Sequence, residues 1–291
     1  MSKPFCANAM FRLPTQYGYA NFGFKRSNHH NDRKYNDRSL YSVIADSKQR
    51  DFANFDLIQS FAVHKAGNKI SECEDIWQKS ERDRLTNPKV AIALSDGATE
   101  SSFAKEWAKE LVNAFVNRDV DNWLSPLQMT WRQWLANQNL SWFAKRKAGE
   151  GAFATFLSLE IKFDLSWKAL AVGDSCLFVV RDHLLQNSFP LQNSHEFNNR
   201  PRLIGTHVNL ANIIVSQAHG NAQTGDRFYL TTDAIACWIF KQLEANQDPW
   251  VKLGLISSQE LFAEWVTELR DRREIANDDT TLLCLEIRCK S

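Results

Sequence analysis

Apolar runs separated by polar turns divide most of the chain into short elements. Residues 57–63 read as a strand, and residues 90–94 form an unbroken apolar run, closed by Ser95, of the kind buried on both faces. Three further runs, 152–163, 167–172 and one through 180, follow one another across short turns, which predicts an antiparallel meander. Residues 282–287 make a last strand. Helical spacing takes over elsewhere. Phe103, Trp107, Ala108, Leu111, Val112 and Phe115 share one face behind Ser101 or Ser102 as cap. A second helical stretch over about 125–146 carries Trp131, Trp134, Leu135, Trp142 and Phe143 as a packing stripe. Asp233 opens a helix with Ile235, Trp238, Ile239 and Leu243, and Ser257-Ser258-Gln259-Glu260 reads as the capping box of a last helix. Its exit, Arg270 to Arg273, reads as a solvated end. Residues 183–222, rich in Asn, His and Gln, predict a long surface excursion. Strands in runs and helices in two groups indicate an α+β layered sandwich rather than βαβ winding.

Acidic residues recur where these strands begin or end. The run 90–95 delivers Asp96 followed by Gly97, whose freedom lets the backbone turn away and leaves a carboxylate and a carbonyl free to bind. Asp174 follows the strand ending at Val172, Asp233 follows the strand over 226–232, and Asp278-Asp279 precede the last strand. Glu72, Glu74 and Asp75 stand before a short apolar stretch at Ile76-Trp77. Carboxylates converging at strand ends repel one another unless a hard cation holds them, and oxygen-only ligation suits magnesium, manganese or calcium rather than zinc.

Composition narrows the alternatives. With 291 residues and 44% apolar content the chain can bury a large core. Its formal net charge is +1, but residues 1–50 hold nine Lys or Arg against three Asp or Glu, so residues 51–291 carry −5. Residues 1–52 have no sustained periodicity and are read as an irregular basic and aromatic extension, a wrapping arm rather than a platform for nucleic acid; residues 53–291 are read as one domain. Six scattered cysteines read as reduced and mostly buried rather than as a zinc site. No apolar span of 18 residues and no signal-peptide layout is found, so no membrane association is expected and the cytoplasm is the expected compartment. Neither a phosphate-cradling glycine loop nor a Gly-x-Ser-x-Gly elbow occurs.

Glu74-Asp75, Asp96-Gly97, Gly173-Asp174-Ser175, Thr232-Asp233 and Asp278-Asp279-Thr280-Thr281, in this order, resemble the motifs of the type 2C metal-dependent serine/threonine protein phosphatases over about residues 57–288. The resemblance implies a central antiparallel β-sandwich flanked by helix pairs, four layers α-β-β-α, with a two-metal site at one edge. It implies Mn2+ or Mg2+ held by Asp75, Asp96, the Gly97 carbonyl, Asp233 and Asp278. Asp174 would serve a third metal, and Glu74 would act behind the ligands on metal-bound water. The implied reaction is hydrolysis of phosphoserine and phosphothreonine by a hydroxide bridging two metals, without a phosphoenzyme. The implied partners are a phosphoprotein and the pathway of a cognate Ser/Thr kinase.

The chain also departs from that pattern. Ile70 stands where the family often has a phosphate-gripping arginine, with Lys69 as a neighbouring substitute that lacks the bidentate fork. Ala98 replaces a histidine of some members, Thr99-Glu100 a glycine-rich continuation, Asp279 the common Asn, and Thr155 follows a segment that lacks the usual Ser/Thr. These departures keep two other readings open: a catalytically weak, phosphatase-like regulatory or phosphoprotein-binding module, and a hydrolase of small phosphorylated metabolites.

Overall fold

The computed structural model describes residues 54–80, 89–117, 123–198, 200–209 and 212–288, and the extension expected over residues 1–52 lies outside them. Twelve strands are found among the described residues: β1 (Asn54–Val63), β2 (Ile76–Lys79), β3 (Lys89–Ser95), β4 (Phe153–Ala154), β5 (Phe156–Lys162), β6 (Ser166–Val172), β7 (Cys176–Arg181), β8 (Leu184–Phe189), β9 (Ile204–Gly205), β10 (Ser216–Asn221), β11 (Arg227–Thr231) and β12 (Thr280–Arg288). Six α-helices accompany them: α1 (Ala104–Asn117), α2 (Leu124–Ala136), α3 (Trp142–Gly149), α4 (Asp233–Glu244), α5 (Pro249–Leu255) and α6 (Gln259–Asp271).

The strands form two five-stranded antiparallel sheets, ordered β1-β12-β11-β7-β8 and β10-β6-β5-β3-β2. Strand alternation explains why they stack. Ile92, Leu94, Leu157, Leu159 and Ile161 on one sheet meet Leu177, Val179, Leu230, Leu283 and Leu285 on the other in a dry core. Each such side chain removed from water contributes about 1.5–3 kcal/mol. The opposite faces are apolar too. Ala93, Phe156 and Val172 pack under α1 and α2, with Trp107 and Trp131 edge to face at 5.2 Å. Phe178, Tyr229, Leu282 and Cys284 pack under α4, α5 and α6, where Trp238 meets Trp265 at 5.0 Å. The four-layer α-β-β-α sandwich expected from the resemblance is thus present.

Several local expectations need correction. The meander over 152–180 breaks at its third strand: β5 pairs with β6, but β7 belongs to the other sheet, and the chain crosses between sheets at Gly173-Asp174-Ser175. The stretch 125–146 is two helices, because Ser141 accepts the Ala144 N–H and caps α3 afresh. Trp142 and Phe143 therefore leave the packing stripe and are 75% and 55% exposed. Ser101 does not cap α1; its hydroxyl donates to the Ala98 carbonyl and accepts from Phe153 N–H, pinning the turn after β3. Ser258 does cap α6, through Leu261 N–H. The excursion over 183–222 contains β8 and β10, which form outer edges of the two sheets, and α5, not expected from the sequence, starts at Pro249 behind an Asp248 cap.

The crossover depends on Gly173. Its φ is +112°, and a Cβ there would stand 2.8 Å from the Thr155 side chain. Gly173→Ala is expected to lower folding stability by about 1–3 kcal/mol, read as a lower urea midpoint; an unchanged midpoint would show that the two strands can separate freely at this point.

Candidate metal centre

The carboxylates singled out in the sequence come from both sheets and gather at one end of the sandwich. Asp75 precedes β2 and Asp96 follows β3 in one sheet, while Asp233 follows β11 and Asp278 precedes β12 in the other. Antiparallel pairing makes these ends coincide: Ile76 lies opposite Ser95, and Thr231 lies opposite Leu282 and Cys176. Asp174 sits in the crossover just before Cys176, so the same geometry that moves the chain between sheets brings the fifth acid to this end.

Asp75 is the most enclosed of the group. Its Oδ2 accepts from Thr281 Oγ1 at 2.7 Å and from Thr232 Oγ1 at 3.1 Å, both on the facing sheet. Its Oδ1 is buried and has no hydrogen-bond partner. Burial pushes this carboxyl up to about 8, helped by repulsion from Asp279 and Asp233 and opposed by the Thr281 and Thr232 hydroxyls. Burial likewise raises Asp96 well above the usual carboxylate range, with Asp75, Asp233, Asp278 and Asp174 all repelling it. Asp174 is raised to about 7 by burial and the charges of Asp233 and Asp278, and Asp233 to about 6 by burial and Asp278. Burial also raises Glu74, which is held by the Thr99 hydroxyl. One Asp233 oxygen accepts its neighbour's N–H, from Ala234 at 2.6 Å, at the head of α4.

Backbone geometry fixes Asp96 and its glycine. The Asp96 N–H donates to Thr155 Oγ1 at 3.0 Å, and the Asp96 carbonyl accepts from Thr155 N–H at 2.8 Å. Thr155, one residue beyond where the family pattern looks for a hydroxyl, thus supports the acid through the main chain. A Cβ on Gly97 would lie 2.9 Å from the backbone of Ala104, so only glycine lets α1 start this close to β3.

Asp279 has a different task from its neighbour. Its two oxygens accept from Lys65 N–H at 2.7 Å and Glu74 N–H at 2.6 Å, tying the β1–β2 connection to the loop before β12. Asn277 adds a paired contact with the Ala66 main chain. Arg270, read from sequence as solvated, instead donates to the carbonyls of His64 and Asp278 and to Thr280 Oγ1. Desolvation pulls its guanidinium below the usual arginine value against the raising effect of Asp279 and Asp278. The sequence signal available was its helical position: Arg270 lies next to Leu269 on the edge of the apolar stripe of α6.

Lys65 was missed in sequence and is placed against the acids. Its Nζ lies 3.8 Å from Asp278 Oδ1, and its charge draws the Asp233 carboxyl downward. Lys69 is exposed at the head of the short 3-10 turn Ile70–Glu72, beside an Ile70 that is 80% exposed, and among the described residues no ion pair joins it to the carboxylates.

The donor set fits a hydrated hard cation. Among the described residues no three His, Cys, Asp or Glu side chains form a group that could close on one ion by themselves. Magnesium seldom asks for that, since it keeps several waters and takes one or two carboxylates. The unpartnered buried oxygen of Asp75 and the mutual repulsion around it leave a need that a divalent cation would meet.

No family model matches the sequence, and no curated protein matches it. Solved structures do. A bacterial serine phosphatase superposes with a TM-score of 0.53 at 11% identity, covering 82% of this chain and 98% of that one. The photosystem II phosphatase PBCP superposes with a TM-score of 0.51 at 14% identity, covering 80% of this chain and 98% of that one. Two five-stranded sheets, helices on both outer faces and an acid cluster at one end agree with this likeness: the chain has the fold of the type 2C phosphatases.

Proposed function

We propose that this protein is a metal-dependent phosphatase acting on phosphoserine or phosphothreonine in proteins. The observation that carries this reading is the Asp75 carboxylate, buried with one oxygen unpartnered in the middle of four other acids. Folding to this arrangement without a compensating cation is costly, and structures keep such strain where a ligand relieves it.

Asp75, Asp96 and the Gly97 carbonyl would hold one divalent ion, Mg2+ or Mn2+, with Asp233 and Asp278 serving a second and Asp174 a third, weaker one. Bound divalent cations would lower the pKa of water and screen an approaching phosphate. The chain's own residues do the rest. Thr232 and Thr281 fix the Asp75 rotamer through Oδ2 and leave Oδ1 for the ion. Arg270, Asp279 and Asn277 hold the two loops bearing Lys65 and Asp278 at a fixed separation. Lys65, half-exposed beside those acids, is placed to meet a phosphate dianion as a point charge, the task the family pattern gives to the position of Ile70. Glu74, raised in pKa, is suited to hold or take a proton at the edge of the site.

A second reading, a phosphoprotein-binding module with weak turnover, is favoured by one feature: the arginine position is an exposed isoleucine. It predicts metal and phosphopeptide binding with negligible hydrolysis.

Three outcomes are expected. Hydrolysis of a phosphothreonine peptide should require Mg2+ or Mn2+ and cease with EDTA. Asp233→Asn should reduce it by about a hundredfold or more, since even residues behind metal ligands cost about 10–100-fold. The same variant should melt at a higher temperature than the parent at pH 8 without metal, because a repelled buried charge has been removed; full activity in the variant would overturn the proposal.

Next, Lys65→Met should raise KM for the phosphopeptide by about tenfold, the scale of one charge-assisted contact. Lys69→Met should leave KM unchanged. Equal effects at both positions would remove Lys65 from this role.

Finally, Asp75, Asp174 and Asp233 bind protons more tightly folded, at about 8, 7 and 6, than at the ordinary 3.8 of an exposed aspartate. The folded state therefore holds more protons than the unfolded one between pH 4 and 8, and stability without metal should fall as pH rises through that window, levelling above it. Added Mg2+ should raise the melting temperature more at pH 8 than at pH 5. A metal effect equal at both pH values would argue against ligation by these carboxylates.

A further inference from the structure

A cavity of about 530 Å3 lies on the outer face of the second sheet, beside the C-terminal end of α1 and the start of α2. Strand alternation builds its floor. Leu157, Leu159 and Ile161 of β5 face the inter-sheet core, so Phe156, Ser158 and Glu160 face outward. Antiparallel register sets Val172, Leu170 and Lys168 of β6 opposite them. The floor thus grades along the strands from an apolar row, Phe156 with Val172, through Ser158 with Leu170, to a charged row, Glu160 with Lys168. Phe115 and Trp123 form an aromatic wall over the apolar end; Trp123 meets Phe156 at 5.1 Å and Phe115 meets it at 5.5 Å.

Among the described residues, one group in this cavity lacks a partner and one exposed cation beside it is unpaired. Ser158 is 1% exposed, and its hydroxyl has no hydrogen-bond partner. At the charged row, Glu160 is taken by Lys89, with Nζ at 2.6 Å from Oε1. Lys168, directly across from Glu160, forms no ion pair among the described residues. A buried hydroxyl without a protein partner is unusual in a folded protein, and beside an open cavity it is a position that a water or a ligand atom completes. The volume falls within the range of small-molecule sites, which combine a mainly apolar lining with a few placed polar groups.

We propose that this cavity binds a small amphipathic carboxylate: an apolar body between the aromatic wall and Phe156, Leu170 and Val172, and an anionic head at Lys168, with Ser158 bonded along the way. The cavity is separate from the acid cluster, whose charge would repel such a ligand. Its apolar end begins at Phe156, the residue after the Thr155 that holds Asp96. The volume suits one chain of about ten carbons and is too small for a two-chain lipid.

The test is calorimetric titration of the full chain with sodium decanoate below its micelle concentration, with 1-decanol as the uncharged analogue. Saturable one-to-one binding is expected, weaker by about tenfold for Lys168→Met and for decanol, as loss of a charge-assisted contact requires. Leu170→Trp, which fills the floor, should abolish it, and circular dichroism melts of both variants should show that they remain folded. No saturable binding, equal affinity for decanol, or binding indifferent to both substitutions would overturn the proposal. Sedimentation with phosphatidylcholine vesicles containing phosphatidylglycerol should leave the protein in solution; co-sedimentation lost in Leu170→Trp would mean that the cavity takes a membrane acyl chain, and would overturn the assignment to a free carboxylate.

Discussion

The Asp75 carboxylate, held by hydroxyls from the opposite sheet, is the constraint on which this end of the molecule depends. Thr232 and Thr281 are already joined to each other, Thr281 N–H donating to Thr232 Oγ1 at 2.9 Å, and together they reach across the sandwich to one oxygen of Asp75. Two neutral hydroxyl donors are too weak to repay the desolvation of a carboxylate that also faces Asp96, Asp233 and Asp279. The sandwich core supplies the force that keeps the acids together, and the site is accordingly a place where packing energy is held as electrostatic strain.

Rigidity around that strain comes from side chains bonded mainly to the main chain. Asp279 spends both oxygens on backbone N–H groups, Asn277 pairs with the main chain of Ala66, and Arg270 links carbonyls of the two loops from behind. Backbone-directed side chains of this kind fix loop separation without adding side-chain freedom to the site. An aspartate at position 279 fits the same account: its carboxylate accepts two N–H bonds at once, and the charge of Arg270 lies close enough to interact with it.

The two sheets are used differently on their outer faces. The face under α4, α5 and α6 is closed by large side chains such as Trp238, Trp250 and Trp265. The face under α1 and α2 is closed over β3 and the start of β5, but α2 and the short α3 are separate helices, and the floor toward β6 and β10 is left with a cavity. One segment, Thr155-Phe156, borders both the acid end and that cavity, so the N-terminal end of β5 is a wall that the two share.

The sequence alone determined the type of the strongly periodic elements and the acid positions, because both are local; the strands inside residues 183–222 and the short helix α5 were not legible in this way. Alternation and helical period follow from side-chain geometry within a few residues, and carboxylates at strand ends can be read where the apolar runs stop. The layered α+β class followed from the order of those elements. Tertiary structure decided what depends on contacts between distant residues. Nothing local marks the crossover at Gly173, since β6 and β7 look alike as apolar runs and differ only in which sheet accepts them. Nothing local separates Lys65 from Lys69, and only its place beside Leu269 separates half-buried Arg270 from its exposed neighbours; the contacts of Lys65 with Asp278 and of Arg270 with His64 each span more than 200 residues. The break at Ser141 and the exposure of Trp142 followed from a cap that competes with helix continuation, a balance of about one hydrogen bond that periodicity does not register.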